Sequence, residues 1–233
     1  MSNNSEYRTF LYVDLNNLII IVLDSKNQTI YKKESLIKNS VFDFYFEYLN
    51  DFLSQNVFEI EKILKEFVNN IFLIIDHEKL YQIKLSIKDK SDNISWSINS
   101  INNLLSEAKS QCKNTLEGND IIHMKIDQFY IDEISYTNLP LEKDCKNFSL
   151  DLSFICLPNQ ITTNFEKIFS NYQISISKIL SYQYLKEFLS EKDKNIFIVA
   201  QKILNGLNEN EVFLTKKSQK NPGFFEKFFN FFN

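Results

Sequence analysis

Phe10-Leu11-Tyr12-Val13-Asp14-Leu15-Asn16-Asn17-Leu18-Ile19-Ile20-Ile21-Val22-Leu23 is a pair of apolar runs joined by a short link. β-Branched and aromatic side chains dominate both runs, and Leu15-Asn16-Asn17 supplies turn chemistry between them, so the stretch predicts a β-hairpin. Beyond it, Ser25-Lys26-Asn27-Gln28 is a second turn and Thr29–Glu34 predicts a third strand of the same meander. Phe42, Phe46, Leu49 and Leu53, then Val57, Ile60, Leu64 and Phe67, recur at helical spacing with acids and lysines between them. That pattern predicts one or two amphipathic helices over 42–69, packed on the hairpin sheet. Ile71–Ile75 is an unbroken apolar run of strand length, as expected of a strand buried on both faces. Strands and helices alternate, and the fold class they predict is α/β.

A second group of elements follows. Leu80–Ile87 alternates as a strand, Ile98–Cys112 carries Ile98, Ile101, Leu104, Leu105 and Ala108 on one helical face, and Ile121–Phe129 and Tyr130–Tyr136 read as two strands. Phe148–Leu157 alternates again, Pro158-Asn159 starts a helix reaching about Asn171, and Ile174–Leu180 is a strand. Helices over Tyr182–Leu189 and Ile196–Leu207 complete the folded part. Residues 208–221 read as a polar linker, and 222–233 as a separate cassette.

Composition narrows the chemistry. Net charge is −4, from 26 basic and 30 acidic residues, which argues against a general binder of nucleic acid. Only Gly118, Gly206 and Gly223 are glycines, too few for any Gly-rich phosphate loop. Cys112, Cys145 and Cys156 form no CxxC and read as reduced thiols packed as small apolar residues. The first nine residues show no secretory signal, and no apolar run approaches the ~20 residues of a spanning helix. Asp76-His77-Glu78 is the densest acid/base run, but a turn between Ile75 and Leu80 accounts for it without chemistry. His123, within a strand, reads as a strand-edge or half-buried histidine rather than a ligand. Lys84, Lys88 and Lys90 read as a solvated strand end, since Asp89 and Asp92 interrupt them. No nucleophile stands beside a base in a recognisable turn, and no metal set is spaced for ligation, so no catalytic residue, metal or cofactor is expected.

The order of these segments resembles FtsA, the actin-like membrane tether of the bacterial division ring. Phe10–Ser25, the third strand, the helix and Ile71–Ile75 are similar to its opening. Ile121–Asp132 resembles the family's strand pair "iiHv-P-eY-vD", with His123, Tyr130 and Asp132 matching and Asp127 at the usual proline. Ile98–Lys113, Phe148–Cys156 and Asn159–Asn171 resemble the helix, strand and helix around that pair. Tyr172–Leu189 with Ser190-Glu191-Lys192-Asp193 is similar to the return into the first subdomain, and Asn195–Leu207 to the final core helix. In actin-like ATPases the first hairpin turn reads roughly D-[LI]-G-[ST], its Asp ordering a metal shell and its glycine admitting phosphate to backbone amides. Here Asp14 is kept, Asn16 stands at the glycine and Asn17 at the hydroxyl position. The two further FtsA subdomains, with the second phosphate loop, the adenosine-binding glycines and the FtsZ-gripping surface, have no counterpart between the return segment and the final helix.

The resemblance implies half of an actin-like (ribonuclease-H-like) fold with an inserted small α+β subdomain, plus a C-terminal amphipathic helix. Residues 1–80 and 179–207 would form the lobe and 81–178 the insertion. It implies a scaffold without nucleotide or enzymatic activity, peripheral on the inner face of the cytoplasmic membrane. Its partners would be other division proteins (full-length FtsA, FtsZ or a membrane component) or further copies of itself. The related pilus-platform protein PilM shares the insertion without a phenylalanine tail, which makes a pilus or secretion adaptor the alternative.

The tail is readable without any family. At about 100° per residue, Phe224, Phe225, Phe228, Phe229, Phe231 and Phe232 fall within an arc of about 160°, and Glu226, Lys227 and Asn230 fall outside it. Pro222 suits a first turn, and Lys216, Lys217 and Lys220 precede it. Four lysines against Glu226 give the segment from Thr215 onward three net positive charges and leave minus seven on the rest. A basic cassette on an acidic body predicts a surface anchor for anionic lipid. A groove on the same protein or on a partner is the competing seat.

Overall fold

The computed structural model describes residues 6–37, 46–89, 94, 95, 98–139, 144–191 and 193–212. The opening hairpin is β1 (Tyr7–Val13) and β2 (Asn17–Asp24), followed by β3 (Thr29–Leu36), α1 (Phe46–Leu64) and β4 (Asn70–Ile75). β1 pairs antiparallel with β2 and parallel with β4, and β3 pairs antiparallel with β2. The sheet is completed by β11 (Ser175–Ser181), parallel to β4, in the order β11-β4-β1-β2-β3. β2 alone runs against the other four, which is the strand order and direction set of the actin-like, ribonuclease-H-like lobe.

Period-2 alternation divides the side chains of this sheet between two helical layers. Leu11, Val13, Leu18, Ile20, Val22, Leu73 and Ile75 face one side, with Leu49, Leu53, Val57 and Ile60 of α1 and with Ile161, Phe165 and Phe169 of α3 (Asn159–Ser170). Phe10, Ile21, Leu23, Ile74 and Leu180 face the other, against Tyr184 and Leu185 of α4 (Tyr182–Lys186) and Phe197, Val199, Ala200 and Ile203 of α5 (Ile196–Leu204). Burial on both faces is why β2 and β4 are near-continuous apolar runs. Residues 196–204 are helix, capped by the Asn195 side chain accepting from the Phe197 amide at 3.0 Å.

Between β4 and α3 the chain builds a second sheet, β5-β10-β7-β8, from β5 (Tyr81–Lys88), β7 (Asn119–Ile131), β8 (Ile134–Tyr136) and β10 (Phe148–Pro158). α2 (Ile98–Thr115) lays Ile101, Leu104, Ala108 and Cys112 on it, against Met124, Ile126, Leu150, Leu152, Phe154 and Cys156. A two-residue ladder joins β6 (Ile94–Ser95) to β9 (Asp144–Cys145).

Four segments differ from the expectations. α3, placed by sequence inside the inserted unit, shares a core with α1 of the lobe, which Ile122 and Leu157 of the second sheet also enter. β7 is a single strand running through Tyr130. The turn comes at Asp132 and Glu133, both at positive φ (47° and 72°), with the Asp132 carboxylate accepting the Lys146 and Asn147 amides at 2.8 and 3.0 Å. Asp127, at the family's proline position, is an extra residue of β7, because Asp151 pairs with Gln128 and Leu152 with Ile126. A bulge of this kind is a place where a strand tolerates proline. The fourth is the linker. Residues 208–212 form a docked strap, with the Ile126 amide donating to the Asn210 carbonyl at 2.9 Å and the Val212 amide to the Met124 carbonyl at 2.8 Å. The C-terminal cassette 222–233 lies outside the described residues.

Candidate functional site

The turn between β1 and β2 is closed on the Asp14 carboxylate. Asp14 follows β1, and its Oδ1 accepts the backbone amides of Asn16 and Asn17, each at 2.7 Å. The Asn17 side-chain amide donates to both Asp14 oxygens at 3.1 and 3.0 Å, and the Tyr12 hydroxyl donates to Oδ2 at 2.8 Å. Both turn amides are thus bonded to a carboxylate of their own turn. Partial burial and then the Asp14 bond push the Tyr12 phenol well above its ordinary value. Asp76, at the end of β4, accepts from the Gln183 side chain at 3.1 Å. The run after it is the expected turn: the Leu80 amide reaches the His77 carbonyl at 3.0 Å, and the Lys79 amide reaches His77 Nδ1 at 2.9 Å.

A second polar constellation lies where the inserted unit meets the lobe, and sequence reasoning missed it. Glu211, on the strap, has a side chain only 1% exposed. Its Oε1 is 2.9 Å from His123 Nδ1 of β7 and 2.8 Å from Lys178 Nζ of β11, and its Oε2 accepts from the Tyr184 hydroxyl of α4 at 2.9 Å. Asn208 donates to the same hydroxyl at 2.8 Å. The Ser181 amide donates to His123 Nε2 at 2.9 Å, so Nε2 carries no proton and Nδ1 donates to Glu211. Burial lowers the His123 pKa against the pull of Glu211, and Lys178 and Lys125 lower it further. Burial raises that of Glu211, but the bonds from His123 and Lys178 outweigh it and hold the carboxyl at about 2. The result is a neutral histidine beside an ion pair, joining β7, β11, α4 and the strap. His123 is thus fully buried rather than at an edge or half-buried, and the family pattern that marks it was its one signal in the sequence. Glu211 gave none, since its partners stand 88, 33 and 27 residues away.

The remaining candidates carry no site. Cys112, Cys145 and Cys156 are buried and form no disulfide, and burial together with Cys112 pushes Cys156 up to about 12. Lys84 and Lys88 are exposed on β5, and Lys90 lies outside the described residues. Among the described residues no three His, Cys, Asp or Glu side chains converge to hold a metal, and no helix is long and apolar enough to cross a membrane. Phe224, Phe225, Phe228, Phe229, Phe231, Phe232, Lys216, Lys217, Lys220 and Lys227 all lie outside the described residues.

No family model and no curated protein matches the sequence. Among solved structures the chain is similar to the PilM–PilN type IV pilus biogenesis complex, at 6% identity and a TM-score of 0.46 over 78% of this chain and 48% of that one. It is similar to the cytoplasmic domain of EpsL, an inner-membrane component of the Vibrio cholerae type II secretion system, at 8% identity and 0.40 over 77% and 58%. A Bacteroides thetaiotaomicron protein with an actin-like ATPase fold follows at 11% and 0.34 over 78% and 55%. The chain spans about half the length of these structures. At these TM-scores the likenesses add nothing to the strand order and directions already given.

Proposed function

We propose that this protein is a non-catalytic adaptor, half of an actin-like fold that holds partners of a bacterial division apparatus at the inner face of the cytoplasmic membrane. The observation that carries the reading is the Asp14 turn: the Asn16 and Asn17 amides, the donors an actin-like ATPase offers to phosphate, are bonded to Asp14 at 2.7 Å. Chemistry given up at that turn leaves binding as the use of the fold. The α4–α5 connection supports this, since only residues 187–195 lie between the two helices and no second lobe intervenes there. Attachment is assigned to 222–233, by the segregation of six phenylalanines from Glu226, Lys227 and Asn230. The division assignment rests on the collinear resemblance to FtsA, and its partners would be full-length FtsA, FtsZ, a membrane division protein or a second copy. A fluorescent fusion tests the assignment. Midcell rings are expected, whereas foci at the poles would move the protein to a pilus or secretion platform of the PilM or EpsL kind.

A further inference from the structure

β3 is the last strand of its sheet. It pairs with β2 alone among the described residues, and every residue in it except Tyr31 is exposed. Just past the end of the ladder, the Ile37 amide donates to the Asn16 carbonyl at 2.7 Å. Successive residues of an antiparallel strand direct their backbone groups alternately toward and away from the neighbour. Residues 31, 33 and 35 therefore bond to β2, and Lys32, Glu34 and Leu36 turn their amides and carbonyls outward. Register is unbroken over 31–36, so this stretch is a template for one more strand.

Lysines usually keep such an edge single, and here they select the partner instead. A second β3 entering antiparallel must set outward residues against outward residues, so the two-fold axis passes through a residue rather than between two. An axis at Lys32 or at Glu34 opposes that residue to itself. An axis at Lys33 sets Lys32 against Glu34 twice and Ile30 against Leu36 twice. Lys32 Nζ already lies 3.8 Å from Glu34 Oε2 of its own strand, so each of the four charges then has an opposite charge both along and across the strands. The apolar pair takes Ile30, 36% exposed, and Leu36, 69% exposed, out of water. On the other face Lys33 meets its own copy at the axis. There Glu59 of α1 acts on Tyr31, which lies diagonal to the second copy's Lys33, and the long lysine stems let the two ammonium groups separate.

We propose that β3 is a homodimer surface: two copies join antiparallel through residues 30–36, with the axis at Lys33, into one continuous sheet. The pairing gives the second copy proposed above as a partner its place on the molecule, and it rests on that reading only for what the dimer is used for.

The test is sedimentation equilibrium of the full chain without lipid, up to about 1 mM because a single strand pair is a small interface. A monomer–dimer equilibrium is expected. Lys32→Glu and Glu34→Lys, both exposed changes, place like charges opposite each other at two points, and each should weaken association by about tenfold. An equimolar mixture of the two variants restores opposite charges at both points and should dimerise as the unsubstituted chain does, as should the chain carrying both substitutions. A monomer at every concentration, singly substituted chains that dimerise unimpaired, or a mixture that stays monomeric overturns the proposal. Association through the tail would ignore positions 32 and 34, and failure of the division reading would move the fluorescent fusion without moving these equilibria.

Discussion

Glu211 is the residue on which the junction turns, because it is buried, ionised and shared by donors from three elements. Replacing it with alanine leaves the buried His123 N–H and the Tyr184 hydroxyl without their acceptor. Breaking a buried pair from one side costs about 3 kcal/mol, which for a chain of this size is a melting temperature lower by about 6–12 °C. Circular dichroism melts of Glu211→Ala check it. The same network sets a pH dependence. His123 has its folded pKa below its ordinary 6.5, so the unfolded chain holds the extra proton first and stability falls as pH drops below about 6.5. Glu211 adds a second loss, from its ordinary 4.5 down to about 2, because its folded pKa is also lowered. Melts between pH 7 and 5 should therefore decline for the unsubstituted protein. His123→Gln, which does not titrate, should lose that part of the slope, and equal slopes would refute the neutral-histidine assignment.

At the scale of elements, the strap and the tail behave differently. Ending the chain at Leu207 removes Asn208, Asn210, Glu211 and Val212 with their bonds to β7, β11 and α4, and should lower the melting temperature as much as Glu211→Ala does. Ending it at Phe213 keeps the strap and should change the melting temperature by less than about 2 °C. For the tail, six phenylalanines at ~2 kcal/mol each give ~12 kcal/mol when fully buried in lipid. Four lysines add at most ~4 kcal/mol near an anionic surface, and ordering ten residues costs ~10–15 kcal/mol. The balance is near zero, so one tail should bind acidic vesicles weakly, less at high salt, and Phe225→Glu with Phe228→Glu should abolish recovery by sedimentation. Most elements were readable because their burial follows period 3.6, as in α1 and α3, or because they are unbroken apolar runs, as in β2 and β4. What was not readable is non-local. The layer that α3 joins depends on Phe165 and Phe169 meeting α1 across more than a hundred residues. The β7–β8 turn uses two non-glycine residues at positive φ. The strap, Asn208-Glu209-Asn210-Glu211-Val212, has the composition of a linker, and its one buried acid is identified only by partners distant in sequence.

The whole molecule is a three-layer lobe carrying a second sheet, with the strap crossing between them. Ile122 and Leu157 of the second sheet enter the α1–α3 side of the lobe core and Ile155 the α4–α5 side, so the two sheets share apolar contact as well as the Glu211 network. The first hairpin, meanwhile, keeps the shape of an actin-like turn while its amides are committed to Asp14. Whether that commitment holds against a real phosphate is the central question, and calorimetric titration of the full chain with ATP and magnesium answers it most directly. No binding heat at millimolar nucleotide is the expected result, and saturable binding at micromolar nucleotide would contradict the account.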